Sequence, residues 1–237
     1  MKKPRVFVLG DVHGACKALR QVFRRSDFDF ENDTLVSIGD LVDGWPEPAE
    51  CVEELLRVKN LVAIRGNHDE WMREYLQTGE ADSWWFGHFG GRQTIAAYKN
   101  SGKIDDPRHR EFFLQTQRAY FVDEQKRLFV HAGYNFNEPI EKQRGEQLWM
   151  SRNYWNYLLR DKFPGETHSD VNGFSEVFIG HTQTVNYFSH DKPVHLLNCW
   201  NVDQGCKSLG RLTLMNVDTK EYVQSDPVFT LYPDTIS

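Results

Sequence analysis

Residues 5–14 read Arg5-Val6-Phe7-Val8-Leu9-Gly10-Asp11-Val12-His13-Gly14. The apolar run ending at Leu9 is of strand length, and it stops at a glycine followed by Asp11 and His13. It predicts a short β-strand whose carboxyl end turns sharply and carries polar side chains. Two later stretches repeat this order. Thr34 to Ile38 ends in Gly39-Asp40-Leu41-Val42-Asp43-Gly44, and Leu61 to Ile64 leads into Arg65-Gly66-Asn67-His68-Asp69. Helical patterns separate the strands. Ala15 to Arg25 places Leu19, Val22 and Phe23 at helical spacing, and Glu47 to Lys59 does the same with Val52, Leu55 and Leu56. Pro46 and Pro48 stand at the entrance of the second helix, where a missing amide is tolerated. The order β-α-β-α-β predicts right-handed crossovers and parallel strands.

Beyond residue 69 the pattern changes. Glu70 to Leu76, Arg92 to Lys99 and Pro107 to Gln117 read as helices, interrupted by an aromatic segment with Trp84, Trp85, Phe86 and Phe89 and the pair Gly90-Gly91. Strand patterns return at Tyr120 to Val122, Arg127 to Val130, Val177 to Ile179 and Arg211 to Val217, with a helix expected over Gln147 to Leu159. There is no internal repeat and no linker composition. The expectation is one α/β domain over residues 1–237, with a helical insertion or lid around 70–118.

Bulk properties narrow the classes. A chain of 237 residues with 40% hydrophobic content can bury a sizeable core. A net charge of -6 argues against dedicated nucleic-acid binding, which usually leaves a basic footprint. An anionic substrate stays compatible, because bound cations invert the local field. Cys16, Cys51, Cys199 and Cys206 form no C-x-x-C pair, so a cysteine-rich zinc site is not expected and free buried thiols are. The run Val6 to Leu9 is too short for a leader, and no stretch approaches the ~20 apolar residues of a membrane span. These features predict a cytoplasmic protein without a membrane segment.

The chemistry collects behind the strands. Besides the three ends above, two later ones read His131-Ala132-Gly133 and Gly180-His181-Thr182. Ligands bind at the carboxyl ends of strands in open α/β sheets, so five ends each bearing Asp, Asn or His can converge on one site. Hard carboxylate oxygen mixed with imidazole nitrogen, without thiolate, suits Mn²⁺, Fe or Zn²⁺ better than Ca²⁺. Two such ions can clamp a phosphoryl group and activate water for in-line attack.

The five blocks, in this order, resemble the calcineurin-like metallophosphoesterase superfamily, and within it the compact bacterial and phage serine/threonine phosphoprotein phosphatases and the related symmetrical diadenosine tetraphosphatases. The resemblance spans residues 10–182. It implies a four-layer sandwich of two mixed β-sheets flanked by helices, and hydrolysis of phosphate esters at two divalent metal ions, with Mn the first choice. It assigns Asp11 and His13 to one metal, Asp40 to both, and Asn67, His131 and His181 to the other. His68 matches the acid that protonates the leaving group, and Asp43 the carboxylate that orients it. Asn67 and Arg152 are the expected contacts to the substrate phosphate, and Arg65 is expected to be structural. Asn201-Val202-Asp203-Gln204-Gly205 resembles a segment that turns near the metals, with Gln in place of Thr.

One departure stands out. The phosphoprotein phosphatases carry Asp-Arg-Gly after the second block, and that arginine grips phosphate. Here Asp43 is followed by Gly44 and Trp45. Phosphate monoesters, including phosphoproteins, are the leading substrates. Dinucleoside polyphosphates are the alternative within the enzyme class, and a catalytically weak, metal-bound regulatory module is the alternative outside it. Local structure accounts for other conspicuous residues. Asp69 reads as an acidic first-turn residue. Trp45, Trp84 and Trp85 read as core or lid packing, with an aromatic platform as the alternative. His88, His109, His168, His190 and His195 read as surface or packing residues.

Overall fold

The computed structural model describes residues 4–160 and 173–235. His168 lies outside them. Strand β1 (Val6–Leu9) is followed by α1 (Cys16–Arg25), β2 (Thr34–Ser37), α2 (Pro48–Leu56) and β3 (Asn60–Ala63). These three strands pair in parallel, β1 with β2 and β2 with β3. The helical stretch comes next: α3 (Asn67–Thr78), α4 (Ser83–His88), α5 (Gly91–Asn100) and α6 (Pro107–Glu111), ending in a π-helical turn over Phe112–Thr116. A hairpin of β4 (Tyr120–Val122) and β5 (Arg127–Val130) opens the second half. After it come α7 (Glu146–Trp149), α8 (Asn153–Arg160), β6 (Glu176–Ile179), β7 (Val194–Leu196), β8 (Cys199–Asn201), β9 (Thr213–Asn216), β10 (Tyr222–Gln224) and α9 (Val228–Leu231).

The strands form two mixed five-stranded sheets, ordered β10-β9-β1-β2-β3 and β4-β5-β6-β8-β7. The last strands of the chain return to the first sheet, where β9 runs antiparallel to β1. Side-chain alternation explains the layering. Val8, Val36, Phe129 and Phe178 point between the sheets and pack with Ile38, Ile64, Val202 and Met215. Phe129 and Phe178 stack there with centroids 5.0 Å apart. Their neighbours Phe7, Leu9 and Leu35 face α1, α2 and the helices after β3, in one cluster with Trp85, Ile95, Tyr98 and Phe113. Leu128, Val130, Val177 and Ile179 face Trp155 and Leu158 of α8 on the far side. The result is the expected sandwich: helices, sheet, sheet, helices.

Local differences from the sequence expectations have physical causes. The helix expected over Gln147 to Leu159 is broken into α7 and α8. At the break the amide of Asn153 donates to Ser151 Oγ (3.3 Å), a local cap that starts a new helix. The helix expected over Pro107 to Gln117 widens into its π turn, which buries Phe112 and Phe113 together. Strands β7 and β8 are three residues each and carry His195 and Trp200 or Asn201, too little alternation to register as strands.

Candidate functional site

The carboxyl ends of β1, β2 and β3 meet those of β5 and β6 over a cleft of about 750 Å³. Hydrogen bonds tie the two sheets together at this point. The His131 ring donates through Nδ1 to the Ile38 carbonyl (2.9 Å), and the His181 amide donates to Asp11 Oδ2 (2.9 Å). The first three loops are equally interlocked. Val12 and His13 donate their amides to the Asp40 carbonyl, and Asp69 accepts from the amides of Leu41 (2.8 Å) and Gly66 (3.2 Å). Asp69 thus caps the start of α3 and staples it to the loop after β2. Close approach demands glycine at two points: a Cβ on Gly66 would lie 2.0 Å from Asp40 Oδ1, and one on Gly180 2.1 Å from Asp11 Oδ1. His13, Asp40, Asp43 and His181 all hold positive φ, between 49° and 67°. Backbone strain of this kind persists only where surrounding contacts impose it.

Asp40 lies at the centre. Its Oδ1 accepts from the His68 amide (3.0 Å), leaving Oδ2 3.6 Å from His13 Nε2 and 3.3 Å from His131 Nε2. Two groups of candidate ligand atoms share it: His13, Asp40 and His68, and Asp40, His131 and His181. Backbone carbonyls hold Nδ1 of both His13 and His131, by Val42 and Asp43 in one case and Ile38 in the other. That pattern puts the proton on Nδ1 and leaves each Nε2 lone pair for a cation. Asp11 Oδ2 is 4.0 Å from His13 Nε2.

These residues fit a pair of cations. Asp11 Oδ1, Asn67 Oδ1 and His131 Nε2 are buried without a hydrogen-bond partner. Buried polar atoms are normally satisfied, so three orphans within one expected ligand set mark the place of a missing positive charge. Titration points the same way. Burial raises the Asp11 carboxyl, and nearby Asp203 raises it further. Burial and Asp40 push Asp69 up to about 6, and burial likewise brings Asp203 to about 6, with Asp40 adding to it. Burial would also raise Asp40, but His131, His68 and His13 hold it well below the usual range. Burial works against charge on His131, yet Asp40 and Asp11 bring its pKa up to about 10, so in the metal-free chain Nε2 takes up a proton that a bound cation would displace. Burial, together with His131, takes His181 down to about 3. Carboxylates that repel one another or borrow charge from imidazoles are the field a multivalent cation satisfies.

His68 is differently engaged. Its Nδ1 meets Asp43 Oδ2 at 2.6 Å. Asp43 is buried and fully bonded: Oδ2 also accepts from Trp85 Nε1 (2.6 Å), and Oδ1 from Thr94 Oγ1 (2.5 Å). The Nε2 edge of His68 is 2.8 Å from Lys207 Nζ, in the loop after β8. Burial lowers the Lys207 pKa, opposed by Asp40, Asp43, Asp11 and Asp203. Arg152, at the break between α7 and α8, also lines the cleft, and its charge is felt at His181. Trp71, Trp84, Phe89 and Tyr187 supply aromatic walls.

All eight expected metal, acid and orienting residues are therefore gathered here, with Arg152 at the edge. Trp85, Thr94 and Lys207 belong to the site and were not expected. They reach it from 42, 51 and 139 residues away; no local pattern marks Trp85 or Thr94, while Lys207 follows by two residues the Asn201 to Gly205 segment expected to turn near the metals. The aromatic trio divides. Trp85 is buried, Trp45 donates to the Cys206 carbonyl and stacks on Tyr232, and only Trp84, 64% exposed, stands at the cleft mouth. Arg65 is structural, bridging Glu70 and the Gln117 carbonyl. A third cluster, Glu53, Asp106 and His109, is already neutralised by Lys103 and Arg108 and ties α2 to α6.

Comparison with known proteins agrees with this geometry. The chain is 23% identical over 218 residues to serine/threonine-protein phosphatase 2 of Escherichia coli, covering 90% of this chain and 92% of that one. It is 37% identical over 79 residues to serine/threonine-protein phosphatase 1 of Salmonella typhimurium, but that match spans only 33% of this chain and 36% of the relative. A 64-residue match at 38% identity links it to the symmetrical bis(5'-nucleosyl)-tetraphosphatase of Proteus mirabilis, over 27% of this chain and 23% of that one. The crystal structure of a metallophosphoesterase from Sphaerobacter thermophilus shares the fold, with TM-score 0.55 and 17% identity over 93% of this chain and 87% of that one. The model of the calcineurin-like phosphoesterase family matches residues 4–197, and the chain belongs to that family of metal-dependent hydrolases.

Proposed function

We propose that this protein is a two-metal phosphomonoesterase, with Asp11 and His13 holding one ion, Asp40 shared, and Asn67, His131 and His181 holding the other. The observation that carries the reading is Asp40 Oδ2 standing between His13 and His131 while the Asp43–His68 pair lies beside it. Divalent cations bound there, Mn²⁺ as first choice with Fe or Zn²⁺ as alternatives, supply charge neutralisation at phosphorus and water activation. His68, its ring fixed through Nδ1 by Asp43, presents Nε2 to the cleft and gives a proton to the departing oxygen. Asn67 and Arg152 orient the phosphate. The site has no use for a histidine–carboxylate pair outside the ligand set if its metals are only structural, which disfavours a regulatory module.

The substrate we favour is a phosphoprotein or another monoester. Among the described residues lining the cleft, Arg152 and Lys207 are the only Lys or Arg side chains. A tetraphosphate chain calls for more positive charge than two side chains give. Aromatic walls keep the dinucleotide alternative open to direct test. The four cysteines are buried and free, and among the described residues no helix is long and apolar enough to cross a membrane. We accordingly place the protein in the cytoplasm, as one domain whose stretch 70–118 roofs the cleft.

The test is release of p-nitrophenol from p-nitrophenyl phosphate. Chelator-stripped protein is expected to be inactive and Mn²⁺ to restore it. Removing the acid in His68→Asn is expected to lower kcat by roughly 10²–10⁴-fold. Undiminished turnover by His68→Asn or Asp40→Asn would overturn the assignment. Comparing kcat/KM on phosphopeptides, mononucleotides and diadenosine tetraphosphate then ranks the substrates.

A further inference from the structure

The geometry points to Lys207 as a substrate-phosphate ligand, a cation supplied by the loop after β8 to the side of the cleft where residue 44 is glycine. This rests on the phosphoesterase reading of the same cleft and extends it.

Three observations carry it. First, Lys207 is half-buried in the cleft wall, not on the outer surface, and its ammonium sits 2.8 Å from Nε2 of His68. Its partner there is an imidazole; no carboxylate lies within ion-pair distance of it among the described residues. Without a ligand the ammonium gives one of its three donors to this ring nitrogen, which then carries no proton; turned toward a bound phosphate, the ammonium releases Nε2 to hold the proton that His68 donates.

Second, its stem packs beside Gly44. A Cβ built on Gly44 would come within 3.6 Å of Lys207 Cγ, and within 3.1–3.2 Å of His13. Gly44 also has φ +121°, a conformation a side-chain-bearing residue rarely adopts. In this conformation a side chain on residue 44 is strained, and the neighbouring loop brings a cation in alongside.

Third, the two cations share the cleft. Arg152 and Lys207 both line the cleft that holds His13, Asp40, His68 and His181, with Lys207 against His68. A phosphoryl group above Asp40 then has both a planar guanidinium and an ammonium within the same cleft, the ammonium on the His68 side. A lysine acts as a point charge with rotatable donors, where an arginine imposes a fixed fork. The Lys207 side thus places less geometric demand on the substrate.

The experiment uses the full chain loaded with Mn²⁺ and inorganic phosphate as the probe. Phosphate affinity is measured by calorimetry and as Ki against p-nitrophenyl phosphate, for wild type, Lys207→Met, Lys207→Gln and Lys207→Arg. A hydrogen bond to a charged group corresponds to roughly a 10–100-fold loss of phosphate affinity in Lys207→Met, with KM rising in step. Lys207→Arg is expected to retain phosphate affinity within about threefold, since charge is kept. Mn²⁺ affinity is expected to be unchanged throughout. Should Lys207→Met bind phosphate like wild type while kcat alone falls, Lys207 acts through His68 and the inference is wrong. It is equally wrong if wild type binds no phosphate. Should Lys207→Met fail to fold, Lys207→Gln decides by the same criteria. Because phosphate binding is read directly, a protein that binds phosphate through Lys207 but turns over no ester would refute the phosphoesterase reading and leave this inference standing.

Discussion

Trp85 gives its indole N–H to Asp43 Oδ2, the oxygen that also meets His68. Its ring is wholly buried, so it fixes the carboxylate from beneath without touching the cleft. In Trp85→Phe the packing largely survives and the donor is lost. A buried charged acceptor short of a partner costs roughly 1–3 kcal/mol. Stability to urea is expected to fall by that order, and kcat to fall about tenfold through looser orientation of His68. KM for p-nitrophenyl phosphate is expected to hold. A variant with unchanged kcat would show that Asp43 is positioned by Thr94 alone. A second residue, Asp33, shows how charge fixes the fold away from the site. It is buried and accepts from the amides of Arg5 (2.9 Å) and Asp29 (2.9 Å) and from the Arg5 guanidinium (2.6 Å). Burial opposes its charge, but the Arg5 bonds hold its pKa below the usual value. A depressed carboxyl contributes stability above its unfolded pKa of about 3.9 and loses it as pH falls through the lower, folded value. Asp33→Asn is therefore expected to cost about 1.5–3 kcal/mol at neutral pH, the range for bonds to a charged group. The gap to wild type is expected to close as pH drops below about 4. A gap independent of pH would rule out the charge as its source.

Elements differ in how much of them a one-dimensional pattern reveals. Strands β1 to β3 were legible because each is a short apolar run closed by glycine, and their parallel order follows from the helices between them. The five loops after strands were legible for the same reason: Asp, Asn and His beside glycine is an unusual ending for an apolar run. What pairing or distant contact creates was not legible. β7 and β8 exist because Val194 and Leu196 sit opposite Asn201 and Cys199. Lys207 follows the Asn201 to Gly205 segment that pointed toward the site, but only its approach to His68 shows that its own side chain belongs there. The split between α7 and α8 combines the local Ser151 cap with a tertiary bond, the Leu148 carbonyl accepting from the Ala132 amide, and leaves Arg152 at the break. The inter-sheet layer gives a prediction at this scale. Phe129 and Phe178 are fully buried and stack across β5 and β6. Either Phe→Ala change leaves a cavity between two sheets that are both fixed, and is expected to cost about 3–5 kcal/mol in chemical denaturation. A loss below about 1 kcal/mol would mean the sheets collapse onto the gap, contrary to a rigidly packed layer.

At the scale of the whole molecule the site is the seam between two sheets. His131 and His181 come from one sheet and Asp11, Asp40 and Asn67 from the loops of the other, joined here by the His131–Ile38 and His181–Asp11 bonds. Asp11, Asp40, Asp69 and Asp203 are all buried within this seam. A pair of cations there would act as an electrostatic clasp between the halves, binding the folded chain and not the unfolded one. Such linkage contributes about 2.7 kcal/mol at a free metal concentration one hundred times Kd, and about 4.1 at one thousand times. For a chain of 237 residues that corresponds to a Tm increase of roughly 5–15 °C when Mn²⁺ is added to chelator-stripped protein. Asp11→Asn separates the clasp from the scaffold. It removes a carboxylate that burial and Asp203 disfavour, so the metal-free variant is expected to melt no lower than metal-free wild type. It also removes a proposed ligand, so most of the Mn²⁺-dependent rise is expected to vanish. Equal Mn²⁺ shifts in wild type and variant, measured by differential scanning calorimetry, would place the ion away from Asp11 and break the link between the seam and the chemistry.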